Sequence, residues 1–255
     1  MSSSKGLGVT AQDMFELLPA NLLRFIFTRT KYKKALEFTP EGDVIPLLYD
    51  EYDRCSEAYF KDPKSDLGRA FYYSEIDTEK EQPKYLLRFS KIANFLQMPR
   101  MDILAYAKEE KARLLTPERS DGGQGEDLSS AEKTEIENRI EIAKKWLENY
   151  APENFKFTVQ DELPSVVKNL NDVQKEFLNK IAEIISSQEK WTGEDLHKKI
   201  HEIKAELNIA PRDAFSAIYL TFLGKDSGPQ AGWLLASLDR DFVINRLKET
   251  SNARY

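Results

Sequence analysis

The chain has 255 residues, 41% of them hydrophobic, 11% aromatic and 31% charged, with a formal net charge of −6 at pH 7. That composition excludes wholesale disorder and is enough for one large or two ordinary domains, while the acidic balance excludes a protein that coats nucleic acid through bulk positive charge. No stretch approaches the roughly 20 apolar residues needed to span a bilayer, nothing at the start reads as a secretory leader, and the single cysteine, Cys55, excludes an internal disulfide framework, so a cytoplasmic protein is expected.

The chain opens MSSSKGLGVT, which by composition is either a frayed terminus or part of a phosphate-handling loop. TAQDMFELL then predicts a short helix with Thr10 as its cap, and PANLLRFIFTRTK a second with Pro19 in its first turn. In ALEFTPEGD, Leu36 and Phe38 alternate with Glu37 before Pro40 and Gly42, which predicts one short strand. VIPLLYDEYDRCSEAYF returns to helical spacing with Leu48, Tyr52, Cys55 and Tyr59 on one stripe, and KDPKSD is a turn. PKYLLRFSKIANFLQ and RMDILAYAKEE read as two amphipathic helices broken near Pro99.

A Gly/Ser/Asp-rich linker is expected at about 116–130. Ser130 stands three residues before Lys133, with Glu132 and Glu135 in the first turn of a long helix through Tyr150. At least four more helices are predicted from SVVKNLNDVQKEFLNKIAEIISSQ, TGEDLHKKIHEIKAELN, APRDAFSAIYLTFLG and DRDFVINRLKET, with no fixed repeat among them. The expected class is mainly α: a small α/β piece at the start followed by an all-α body. A lone strand cannot stand by itself, so its partner is expected upstream of Met1.

Several motifs could carry chemistry. HKKIH puts His197 and His201 four residues apart on one helix face, but no third ligand or acidic base accompanies them, so an exposed helix face is expected and no metal site. Cys55 reads as a buried apolar side chain. No GxGxxG, Walker loop or GxSxG is present. The basic run of Arg29, Lys31, Lys33 and Lys34 around Tyr32 suits contact with a phosphate backbone and equally suits a solvated helix C-terminus. Between two strong helices, Gly224, Gly228, Pro229 and Gly232 require a close backbone approach, to a neighbouring helix or to a ligand. Trp191 and Trp233 are expected in the core.

Taken in order along the chain, MSSSKG, LGVTAQDMFELLPANLLRFIFTRTKYKKALEF, LYDEYDR and LGKDSGPQAGWLLASLDRDFVINRLKE resemble the class I lysyl-tRNA synthetases. The resemblance makes Met1, Ser2, Ser3 and Ser4 the counterpart of the family's KMSKS loop. Ser3 stands where the inner lysine usually is, which leaves Lys5 as the phosphate partner. The family's first ATP signature and its nucleotide-binding fold are not in this sequence, which implies a C-terminal portion that makes no lysyl-adenylate and binds no ATP by itself. In the parent enzyme ATP would be the cofactor, and the missing N-terminal catalytic domain would be a partner.

The resemblance further implies a KMSKS-like loop and stem-contact fold at 1–62 and an α-helix cage for the anticodon at 63–255, with tRNA(Lys) as partner and neither DNA nor membrane. Arg29, Lys31, Tyr32, Lys33 and Lys34 fall in the stem-contact part. Within the cage, Arg212, Lys225, Trp233 and Arg240 are chosen on chemistry, because they surround or follow the glycine-rich loop and can meet unstacked bases and phosphates. The alternatives are a helical scaffold or protein-interaction module without RNA specificity, and the equivalent region of a glutamate-type synthetase.

Overall fold

In the computed structural model, residues 11–30, 33–34, 38–76, 85–115 and 127–253 are described. Twelve α-helices and one 3-10 turn, and no strand, occur among the described residues. Leu36 and Glu37 of the expected strand lie outside that set, and Phe38 is in irregular backbone. The chain divides into two compact units, one of Met1–Leu96 with Asp102–Pro152 and the other of Gln97–Met101 with Glu153–Tyr255.

In the first unit, α1 (Ala11–Leu17) and α2 (Ala20–Arg29) lead into α3 (Val44–Lys61) and α4 (Asp66–Ser74). The stripe read from α3 is the one that packs: Leu48, Tyr52 and Cys55 are buried, together with Ile45 and Tyr49 on the adjoining positions. Tyr49 stacks on Phe89 of α5 (Phe89–Phe95) with centroids 4.5 Å apart, and Phe89 meets Trp146 of α7 (Ser130–Asn149) edge-on at 5.9 Å. Between them in sequence lies α6 (Ile103–Leu115).

One local expectation needs correction. The helix predicted through PKYLLRFSKIANFLQ begins only at Phe89, because the backbone before it is used elsewhere: Tyr85 N–H donates to Glu132 Oε1 at 3.0 Å and Leu87 C=O accepts from Arg139 at 3.1 Å. The cap of α7 is Ser129, one residue before Ser130, and Glu132 closes a capping box with it. Glu132 also binds buried Lys111 at 2.8 Å, so one carboxylate serves a helix start, a neighbouring backbone amide and an ammonium.

Arg139 is fully buried in this unit. Its Nη1 and Nη2 donate to Asp53 Oδ2 and Oδ1 at 2.8 and 2.5 Å, its Nε donates to Glu135 at 2.9 Å, and its Cζ lies 4.9 Å from the Tyr49 ring centroid. Burial works against the charge, but Asp53 and Glu135 outweigh it and hold the guanidinium above its ordinary pKa. The ion therefore stays charged inside the core.

The second unit comprises a 3-10 turn (Ser165–Asn169), α8 (Asp172–Ser187), α9 (Gly193–Glu206), α10 (Pro211–Leu223), α11 (Ala231–Ser237) and α12 (Arg240–Asn252). The single helix expected from Ser165 to Gln188 is broken at Leu170, because Asn171 and Gln174 form a capping box that starts α8 afresh. Phe177, Leu178 and Ile181 of α8, Ile218 and Phe222 of α10, and Leu247 of α12 form a fully buried core. Arg246, nearly buried, donates to the carbonyls of Gln160, Asp161 and Glu162 at 3.1, 2.5 and 3.1 Å and so ties the segment before the 3-10 turn to α12.

Removing one partner of a buried ion pair strands the other charge, at about 3–5 kcal/mol. Asp53→Ala is therefore expected to lower the unfolding free energy by about that amount, read from urea denaturation followed by helical circular dichroism. A loss within ~0.5 kcal/mol, as at ordinary surface sites, would show that Arg139 does not depend on Asp53.

Candidate nucleic-acid interface

The first predicted set follows α2. Arg29 stands in the last turn, exposed, and forms an ion pair with Glu51 of α3. Lys33 and Lys34 are exposed in the turn beyond, while Lys31 and Tyr32 lie outside the described residues, as do Met1, Ser2, Ser3, Ser4 and Lys5. A phosphate reaching Arg29 would have to compete with Glu51 for its guanidinium.

The second set does not act alike. Arg212 is exposed in the first turn of α10. Lys225, by contrast, donates to the carbonyls of Glu153 and Lys156 at 2.9 and 2.6 Å. Arg240 donates to the carbonyls of Ser186 and Gln188 at 2.9 and 3.1 Å, satisfying the end of α8, where cations are favoured. Both cations hold backbone. Trp233 lies over Gly193, where an added Cβ would sit 2.6 Å from the indole.

The glycine-rich segment is explained by a neighbouring helix. Gly224 ends α10 in the left-handed conformation at φ 68°. A Cβ on Gly228 would stand 2.7 Å from the Tyr219 ring, whose hydroxyl donates to Pro229 C=O at 2.5 Å. Gly232 brings the backbone of α11 directly against the Gly193 carbonyl and His197 amide of α9, leaving no room for a side chain. The core placement expected for Trp191 and Trp233 is not found: both are partly exposed, and the fully buried tryptophan is Trp146.

HKKIH does lie on a helix face. His201 is exposed and His197 partly so, their rings 4.7 Å apart, with Lys204 Nζ 3.2 Å from His201 Nδ1. Among the described residues no group of three or more His, Cys, Asp or Glu side chains could hold a metal. Burial, together with the neighbouring His201 and Lys204, pushes His197 below its usual pKa, and burial and Lys204 do the same to His201.

Sequence reasoning missed the charged residues of LYDEYDR as a structural set. Asp50 takes Arg88 at 2.7 Å, Glu51 takes Arg29, and Asp53 takes Arg139. Tyr52 bonds Asn21 at 2.8 Å and also Glu75. Alternation of charge with aromatics on one helix was the available signal, but the partners lie far away in sequence. A cleft of about 810 Å³ beside this helix is lined by four carboxylates and four cations, so it offers no net attraction for phosphate. No helix among the described residues is long and apolar enough to cross a membrane.

Two stretches of the chain match known protein families. Residues 1–81 match the family model described as tRNA synthetases class I (K), and residues 124–251 match the anticodon binding domain. The chain belongs to the class I tRNA synthetases of the lysine type, its second half being their anticodon-binding domain. It is 32% identical to a lysine–tRNA ligase of Methanosarcina barkeri over 99% of this chain and 47% of that relative. Lysine–tRNA ligases of Pyrococcus horikoshii and Thermoplasma volcanium are each 31% identical over 97% of this chain and 46% of their own length. The chain thus spans about half the length of the curated relatives it matches.

Two outcomes follow from this geometry. Gly232→Ala forces α9 and α11 apart and is expected to cost about 1–3 kcal/mol in chemical denaturation, the usual range for overpacking. The two depressed histidines make the unfolded chain bind more protons than the folded one just below pH 6.5, so stability should fall as pH drops through that region. That fall precedes the one from carboxylates such as Glu132, which, against the cost of burial, Lys111 and the Ser129 and Tyr85 amides hold below the usual carboxylate range. Melting curves of His197→Gln should show a smaller earlier fall, the share of His201 remaining. An unchanged profile would remove His197 as one of its sources.

Proposed function

We propose that this chain is the tRNA-binding part of a class I lysine–tRNA ligase, contacting the stem of tRNA(Lys) and recognising its anticodon. The observation that carries the reading is the similarity to lysine–tRNA ligases along 97–99% of the chain, joined to an anticodon-binding match over 124–251. Residues 1–62 serve as the signature loop and stem-contact fold, and residues 63–255 as the anticodon cage. Met1, Ser2, Ser3, Ser4 and Lys5 stand in the loop that meets ATP in the full-length enzyme, and Arg29, Lys31, Tyr32, Lys33 and Lys34 stand near the tRNA backbone. The parent works in the cytoplasm, uses ATP and depends on an N-terminal catalytic domain. The chain by itself forms no lysyl-adenylate.

The acidic net charge suits this role, because anticodon bases are unstacked and read one by one, which asks for a few placed groups and no broad basic surface. Binding of the chain to transcribed tRNA(Lys), beside the same tRNA with its middle anticodon base changed, tests the proposal at one stated salt concentration. Binding that weakens on the base change, with a negative slope of log affinity against log salt, is the expected result. Equal binding to both would overturn anticodon recognition, and no binding to either would favour the scaffold reading.

A further inference from the structure

We propose that the contiguous rings of His197, His201, Phe215 and Trp233, flanked by Lys204 and Arg212, form a platform on which the second unit stacks unpaired bases of an RNA loop. This rests on the anticodon-binding reading above and names the place within that domain where binding occurs.

The rings run end to end over three helices. Trp233 of α11 lies 5.4 Å from His197 of α9, His197 lies 4.7 Å from His201 one turn on, and His201 lies 5.2 Å from Phe215 of α10. None belongs to the core, whose aromatic members Phe177 and Phe222 are fully buried. His201 is exposed and the other three partly so. The three contacts are tilted or edge-on, with ring planes 54–73° apart, so the rings form a stepped aromatic surface; aromatic rings at the surface suit bases, because every base offers a π face and stacking tolerates sequence.

The platform is held rigidly. Gly232 and Gly193 let α11 and α9 meet backbone to backbone, and Trp233 rests on Gly193, so two of the helices that bear the rings cannot slide without overlap. A preformed surface loses little freedom on binding. Cations border it: Lys204 Nζ is 3.2 Å from His201 Nδ1, and Arg212 precedes Phe215 by three residues on α10, a spacing that places both on one helix face. Asp213 beside Arg212 is the nearest acid in sequence, and Glu202 beside His201 is bound by Lys199 at 2.6 Å. The lowered pKa of both histidines keeps the rings neutral at pH 7, which suits stacking.

Four other basic groups of this unit are engaged. Lys225 and Arg240 hold carbonyls, and Lys198 and Lys199, near Trp191, pair with Glu194 and Glu202. Bases inside a duplex present no face, so the occupant is an unpaired RNA loop.

The test uses the whole chain and two labelled RNAs, an anticodon hairpin of tRNA(Lys) and the same stem as a blunt duplex, with affinity read by fluorescence anisotropy. His201→Ala, at an exposed position, and Phe215→Ala are each expected to weaken hairpin binding about 5- to 100-fold, the range for losing one base–aromatic stack. Phe215→Tyr should restore it, and thermal melting monitors the fold of each variant. In a Trp191→Phe background, where Trp146 is buried, the hairpin should quench Trp233 fluorescence and the blunt duplex should not. Hairpin binding by the unaltered chain that neither alanine variant weakens would overturn the platform and leave the anticodon reading standing. Failure of the unaltered chain to bind the hairpin would overturn that reading, and the platform with it.

Discussion

The buried guanidinium of Arg139 is the constraint on which the first unit turns. A charge taken fully out of water must be matched in geometry as well as in sign, and here Asp53 meets it with both oxygens while Glu135 and the Leu87 carbonyl each take a further N–H. Those partners come from α3, from α7 itself and from the extended segment before α5. Fixing the ion fixes all three. Together with Glu132 of the same helix it accounts for the extended Tyr85–Arg88 segment, whose apolar content would allow a helix: Leu87 C=O is held by Arg139 and Tyr85 N–H by Glu132.

The same interaction joins the two regions by which the family is recognised. Asp53 lies in the segment matched to the class I (K) synthetases, and Arg139 lies in the segment matched to the anticodon-binding domain, 86 residues away. The first compact unit is therefore assembled from both matched regions, and their limits in sequence do not coincide with the limits of packing. LYDEYDR carries family resemblance and, in this chain, an almost complete set of ion pairs and hydrogen bonds inside one unit.

The second unit uses its charges in another way. Arg246, Lys225 and Arg240 all donate to backbone carbonyls, of irregular segments in the first two cases and of a helix end in the third. An irregular segment has no ladder to satisfy its carbonyls, and a long cation can reach several at once. Beside these engaged cations, α9, α10 and α11 leave His201 exposed and His197, Phe215 and Trp233 partly exposed, a division of labour among side chains that composition does not display.

The sequence by itself determined where most helices run, because periodic burial and caps are local: the stripe Leu48–Tyr52–Cys55, Pro211 opening α10, Gly224 closing it and Asp239 starting α12 all act within a few residues. It also showed the family through motifs in order. It misplaced the start of α5 and ran the 3-10 turn into α8, where a backbone amide or carbonyl is taken by a distant residue or a second cap intervenes. Only the tertiary structure decided which cations hold carbonyls, which tryptophan is buried, and why Gly232 tolerates no side chain. Each of those depends on the distance between residues remote in sequence, and spacing along the chain does not carry that distance.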